Sequence, residues 1–321
     1  MTKKYLSISF WLTGLLGCAT AQACGSTTCP VNTNWDEHGF SRPGWSADLR
    51  YSYSRAGTLR SGSDKIAADT GGDEVENLRT INRLVTASVD YTHDEHWGLA
   101  LRLPYIMRDH NHNLGPYDAF GNPAGYESFT AKSLGDIKVV GRYRWALDEA
   151  SHSGMGVKFG LKLNTGRKDF QWASGGVPGE LALQPGNGST DAILGAFWQQ
   201  AAPGSAWSWF AQGIVQSAFS TTDQYRPGNQ INLDGGARHA LSQNLSGLLQ
   251  LNVQWNGPDA GVNASPLNSG GSMLSLAPGL SYSITPGTQL YGLVQLPLHH
   301  HVNGEQLTAN SSITVGIGHR F

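Results

Sequence analysis

The chain has 321 residues, of which 39% are hydrophobic and only 14% charged, with a formal net charge of −2. Soluble globular domains carry about 25% charged residues, and a 10% aromatic content argues against disorder. A pI of 6.6 without any dense Lys/Arg stretch argues against a nucleic-acid partner. A mean hydropathy of −0.30 argues against a bundle of membrane helices. The 41 glycines follow no three-residue period, which excludes collagen.

At the N-terminus, Lys3 and Lys4 precede an apolar run from Tyr5 to Leu16, and Ala21-Gln22-Ala23 offers a small-x-small cleavage site. This is the pattern of a secretory signal peptide over residues 1–23, too short to span a bilayer. Leu15-Leu16-Gly17-Cys18 is a competing lipobox, imperfect because leucine precedes the glycine; it would leave Cys18 lipidated. Residues 24–44 read as a periplasmic or plug segment. Cys24 and Cys29 lie there, and an even pair in an exported chain predicts a disulfide closing a short loop. Metal binding by the two thiols is the alternative, though no further ligand cluster adjoins them.

From residue 45 to residue 321 the pattern has period two, the signature of strands with one apolar and one polar face. Trp45, Ala47, Leu49, Tyr51 and Tyr53 alternate with Ser46, Asp48, Arg50, Ser52 and Ser54. Val85 to Tyr91, Trp97 to Met107, Ile137 to Trp145, Met155 to Leu163, Trp207 to Phe219 and Leu249 to Trp255 repeat the alternation. Weaker cases lie near 190–200, 230–240, 273–284, 288–298 and 307–321, and the phase at 190–200 is ambiguous between Ile193/Phe197 and Leu194/Trp198. About twelve strands result. Arg83 falls on the apolar phase, which predicts a bulge near it.

Connections alternate between long ones (57–74, 109–134, 165–189, 220–229, 257–270, 299–306) and short ones. Long external loops, short periplasmic turns and an even strand count define a transmembrane barrel. Tyr91, Trp97, Trp145 and Trp207 sit beside short turns, where an interfacial girdle belongs. The chain closes on Ile313, Val315, Ile317 and Phe321 in one phase, like the sorting signal of bacterial outer-membrane barrels. A secreted β-sandwich is the alternative, but it would not need apolar stripes on every strand. The expected fold is therefore all-β: an antiparallel transmembrane β-barrel in the bacterial outer membrane. Its expected partners are outer-membrane lipid, lipopolysaccharide and the barrel assembly machinery.

If the apolar phase faces lipid, Arg102, Arg108, Lys138, Arg142, Arg144, Lys158 and Lys162 line the interior, opposed on their own strands only by Asp136. Gln212, Gln216, Gln250, Asn252 and Gln254 line the other wall. A basic wall concentrates anions, and amides opposite it hydrogen-bond hydroxyls or carboxylates. This predicts a passive channel for small polar or anionic solutes with no cofactor. Two alternatives stay open. The bases could instead brace a plugged structural or adhesive barrel by pairing with acids such as Asp48, Asp90 and Asp234. His110 with His112, or His299-His300-His301, could bind metal from external loops, although adjacent strand histidines point to opposite faces. No P-loop, G-x-S-x-G or H-E-x-x-H occurs, and His239 has no serine motif beside it, so no enzyme is expected.

Several segments resemble a Gram-negative outer-membrane family labelled as transporters or as the MetA-pathway of phenol degradation. They are Gly44-Trp45 through Asp48-Leu49-Arg50-Tyr51, Leu103-Pro104-Tyr105 through Arg108-Asp109-His110, Gly135-Asp136-Ile137, Gly160-Leu161-Lys162-Leu163, Gln184-Pro185-Gly186-Asn187-Gly188-Ser189 and Pro278-Gly279-Leu280-Ser281-Tyr282. The resemblance covers most of residues 24–321. It implies a porin-like barrel, possible substrates being aromatic compounds, and no catalytic residues. Asn164, where proline is usual before Thr-Gly, and the triple histidine depart from the family pattern and leave the solute open.

The cysteine reading has its own test. Alkylation and mass spectrometry of the exported protein should find no free thiol at Cys24 or Cys29; two labelled thiols without reductant would exclude the bond.

Overall fold

The structure, a computed structural model, describes residues 43–67, 76–113, 125–148, 153–201 and 204–321. The expected signal peptide, Cys18, Cys24 and Cys29 lie outside the described residues. Strands β1 (Gly44–Gly62), β2 (Asp64–Lys65), β3 (Glu76–Thr92), β4 (Trp97–Asn113), β5 (Tyr126–Leu134), β6 (Lys138–Asp148) and β7 (Ser153–Lys162) come first. Then follow β8 (Ser189–Ala201), β9 (Trp207–Thr221), β10 (Gln230–Ala240), β11 (Leu245–Asn256), β12 (Gly271–Thr285) and β13 (Thr288–Arg320), with one 3-10 turn at Pro266–Asn268. All pair antiparallel in one sheet, and β13 returns to pair with β1, closing the barrel.

The closed wall has twelve staves. β2 only folds back on the end of β1. β5 and β6 form one stave, since both pair with β4 and a bulge at Gly135–Ile137 separates them. That bulge sits against Pro104, whose missing N–H cannot extend a regular ladder; the Gly135 amide donates to the Pro104 carbonyl at 2.8 Å. β13 supplies two staves. Its first part pairs with β12 as far as Val302, and its remainder pairs with β1. A straight strand would separate Gln295 from Ser312 by about 55 Å, yet Ser312 Oγ donates to Gln295 Oε1 at 3.0 Å. The chain doubles back at Asn303-Gly304, where Gly304 has φ +56°. The connection expected at 299–306 is thus a tight hairpin, and His299, His300 and His301 belong to a strand. His110 and His112 are likewise in β4 and not in a loop.

The expected bulge at Arg83 is absent. β1 and β3 keep one register from Gly44/Thr92 to Ala56/Thr80, with Tyr53 opposite Arg83. Arg83 stays on the outer face and is held by Asp109, its Nη1 lying 2.5 Å from Oδ2.

The burial pattern is that of a soluble protein turned inside out. Leu49, Leu99, Val215 and Ile313 are exposed, whereas Arg142, Lys158, Gln250, Ser275 and Thr314 are buried. The ambiguous strand β8 turns Ile193 and Phe197 inward and exposes Leu194. At the short-turn end, Trp45 lies on Tyr91 (ring centroids 4.7 Å), Trp97 on Tyr143 (4.7 Å) and Trp207 on His239 (4.3 Å). These rings form an amphipathic girdle at one membrane interface.

A closed sheet of this kind should be heat-modifiable, migrating faster in cold detergent than after boiling. Val139→Lys places a charge on the lipid face, roughly 15 Å above the girdle. It should cost about 2–4 kcal/mol near the midplane and deplete the fast-migrating form; normal assembly of this variant would contradict the inside-outside assignment.

Candidate functional site: the barrel interior

The interior-facing bases expected from the sequence come from β4, β6 and β7, and Arg50 on β1 is buried on the same face. Register sets Arg102 opposite Lys138 and Lys138 opposite Lys162, and two inward-facing rows on, past Val140, Arg142 opposite Lys158. Like charges directly opposite each other repel, so each must be held by other groups. Lys162 lies 2.9 Å from Asp136 Oδ2 and 3.4 Å from Asp191 Oδ1, and it also donates to Asn187 Oδ1 at 2.6 Å and Ser189 Oγ at 2.9 Å. Arg142 pairs with Asp90 and donates to Thr92 Oγ1 at 2.5 Å. Arg144 donates weakly to the Ser153 carbonyl at 3.4 Å.

Lys138 and Lys158 are held differently. Lys138 Nζ donates to Gln216 Oε1 at 2.8 Å, and Gln216 Nε2 passes the contact on to Asp191 Oδ2 at 2.6 Å. Lys158 Nζ donates to Gln212 Oε1 at 3.0 Å, and Gln212 Nε2 donates to Asp234 Oδ2 at 2.8 Å. Asn252 donates to the other oxygen of Asp234 at 2.5 Å. Each amide relays a lysine to a carboxylate, so the expected basic and amide walls are one connected network. Gln250 lies in the same buried interior. Of the acids expected as counter-charges, Asp90 and Asp234 join this network, while Asp48 accepts from the Tyr291 hydroxyl at 2.8 Å. Asp191 is the acid that sequence reasoning missed. Its inward phase on β8 was hidden because the apolar pattern there runs in both phases.

Two glycines make room for the large guanidinium groups. A Cβ on Gly98 would stand 2.3 Å from Arg142 Cζ, and one on Gly154 would stand 2.5 Å from Arg144 Nε.

Arg108, His110 and His112 lie higher, toward the long-loop mouth. The connection 163–188 folds against them inside the barrel. Arg108 Nη1 donates to the carbonyls of Ala182 and Leu183 at 3.0 and 2.7 Å, and its Nε donates to Asn82 Oδ1 at 2.6 Å. His112 stacks on Trp172 at 4.2 Å between centroids, and Trp172, Leu183, Phe129 and Ala131 form a buried cluster. His110 shares a hydrogen bond with Thr80 Oγ1 at 2.8 Å through Nδ1. His112 Nε2 is 3.6 Å from Glu127 Oε2. These histidines are packing and hydrogen-bonding groups of the mouth. In the triple histidine, His300 is buried while His299 and His301 are exposed, so the three do not converge. Among the described residues no group of three His, Cys, Asp or Glu side chains could hold a metal ion.

Comparison with known proteins places this architecture. A family model described as "Putative MetA-pathway of phenol degradation" matches residues 64–314. The chain belongs to that family. An outer membrane channel from Pseudomonas putida F1 is similar in structure, with a TM-score of 0.62 at 13% identity, covering 87% of this chain and 96% of that one. The transport unit of the autotransporter AIDA-I from Escherichia coli gives a TM-score of 0.50 at 12% identity, covering 93% of this chain and 95% of that one. These likenesses establish the fold of a bacterial outer-membrane barrel. No curated protein matches the sequence.

The mouth carries a titrating group. Glu180 Oε2 is buried without a hydrogen-bond partner, and burial pushes its carboxyl up to about 7 from an ordinary value of 4.5. A raised carboxyl favours the neutral form in the packed loop. The penalty is absent below the ordinary value, grows as pH rises toward 7 and is complete above it. Protease nicking within 163–188 should therefore increase between pH 5 and pH 8, and Glu180→Gln should flatten that dependence; an unchanged dependence would exclude Glu180 as its source.

Proposed function

We propose that this barrel is a passive outer-membrane channel for small polar or anionic solutes, aromatic carboxylates being a class that its chemistry suits. The observation carrying the reading is the opposed set Lys138–Lys162 and Arg142–Lys158 on neighbouring strands. Two of those four cations are held by neutral amides. Cations gathered this closely on one inner wall favour anions over cations. The fold shared with a Pseudomonas putida channel can hold such a lining, and the amides on β9 and β11 add donors for solute hydroxyl or carboxylate groups.

A second reading has its own support: a plugged barrel acting through its external surface. The interior side chains are tightly buried and loop 163–188 is packed into the mouth. Planar-bilayer recording separates the two. Discrete single-channel steps support the pore, and silence over many verified insertions supports the plug.

Selectivity tests the lining itself. Arg142→Gln with Lys158→Gln should lower the anion preference in a salt-gradient reversal potential while the protein stays heat-modifiable, because lumen substitutions tune selectivity. Unchanged selectivity in an assembled double variant would remove these residues from the conduction path.

A further inference from the structure

We infer that the outward face of β1, β3, β4 and β5, at the long-loop end, is a docking site for the phosphate groups of lipopolysaccharide. Among the described side chains, the outward phase of these four strands carries Arg55, Arg79, Arg83, Asp109 and Lys132; beyond them, at the end of β1, Asp64, Lys65 and Glu305 are exposed as well. Among the described side chains, the outward phase of β6 to β12 carries none. A merely wet rim would spread its charges around the circumference; these are gathered on one flank with a net positive balance.

Register places them as neighbours. Tyr53, Arg83, Met107 and Lys132 form one cross-strand row, and Arg55, Ile81, Asp109 and Thr130 form the next. Asp109 accepts from Arg83 at 2.5 Å and from the Thr130 hydroxyl at 3.2 Å, which orients Arg83. Arg55 and Lys132 are exposed. Interleaved Tyr53, Ile81 and Met107 supply apolar surface, so the flank matches an amphiphile with anionic groups above acyl chains.

Height selects the ligand. Arg83 is eight residues along β3 from the girdle residue Tyr91. At about 3.4 Å per residue and a tilt of about 40°, that climbs about 20 Å. The apolar band of such barrels is about 25 Å tall, so Arg83 and Lys132 stand at its outer edge and Arg55 just above. Charges at that height cost little against lipid. The outer leaflet at that height presents the phosphorylated glucosamines of lipopolysaccharide, and guanidinium groups bind phosphate in a charge-assisted, bidentate manner.

The test uses the full-length exported barrel, delipidated in mild detergent and titrated with bisphosphorylated lipid A by native mass spectrometry. Arg55→Gln with Lys132→Gln is compared with wild type. The double variant should bind about tenfold more weakly, as expected for losing charge-assisted contacts, while heat-modifiability is retained. Lipid A stripped of phosphate should bind both proteins equally and weakly, and phosphatidylglycerol should bind wild type less well than lipid A. Equal binding of lipid A by both proteins would overturn the site. Equal retention of the dephosphorylated lipid by wild type would reassign the contact to acyl packing, and equal retention of phosphatidylglycerol would reassign it to general anionic lipid; either overturns the proposal. Should the double variant fail to assemble, Lys132→Gln alone, on an exposed side chain, carries the same comparison.

Discussion

Lipid offers no partner to a backbone amide, and that one constraint governs this molecule. A sheet placed in lipid must close, and closure here depends on the pairing of β13 with β1. That ladder joins the two ends of the strand order, from Ser46 opposite Arg320 to the turn at Gly62. Once the sheet is closed, the period-two alternation has only one consistent reading. The apolar phase meets acyl chains, and the polar phase is enclosed with whatever charges it carries.

The enclosed charges then create the second problem. Cross-strand register fixes Lys138 against Lys162 and Arg142 against Lys158, and nothing in the ladder can separate them. Burying a cation is costly unless it is hydrogen-bonded. Lys138 and Lys158 therefore reach along the inner wall, past β8, to the amides of β9. Small residues accommodate the arginines: Gly98 and Gly154 leave the space that Arg142 and Arg144 occupy. Carboxylates on β3, β8 and β10 complete the network. Removing one such carboxylate would leave a buried cation under-compensated, which is more damaging than losing an exposed pair.

The barrel, its inside-outside phase and the clustering of the four bases were legible in the sequence, because alternation is a direct consequence of strand geometry. The failures share a physical cause. Arg83 looked misplaced because a single strand was read without its neighbour; Asp109, two strand positions away across β4, is what makes it tolerable. The hairpin at Asn303-Gly304 was hidden because His299, His300 and His301 read as loop polarity, although the same residues complete a ladder with β12. Asp191 was missed because β8 carries apolar residues in both phases. The packing of 163–188 into the mouth could not be read from alternation at all, since it depends on tertiary contacts between a loop and the inner wall.

That loop is where strand length and function meet. β7 ends at Lys162, opposite Lys138, whereas β5 continues the neighbouring stave upward from Leu134 to Tyr126 with only β4 beside it. The other edge of β5 would expose unpaired amides and carbonyls. Residues 171–173 cover part of it: the Ala173 amide donates to the Ser128 carbonyl at 2.9 Å, and Trp172 bridges Phe129. A short hairpin, Gln171 against Pro178 with Gly175 and Gly176 at φ +79° and +77°, holds that segment in shape. The edge thus fixes where the loop attaches, and the inward-facing Arg108, His112 and Phe129 fix how far it enters. Opening the mouth would require breaking edge pairing and the Trp172 cluster together, so occupancy of the lumen is coupled to the integrity of one stave of the wall.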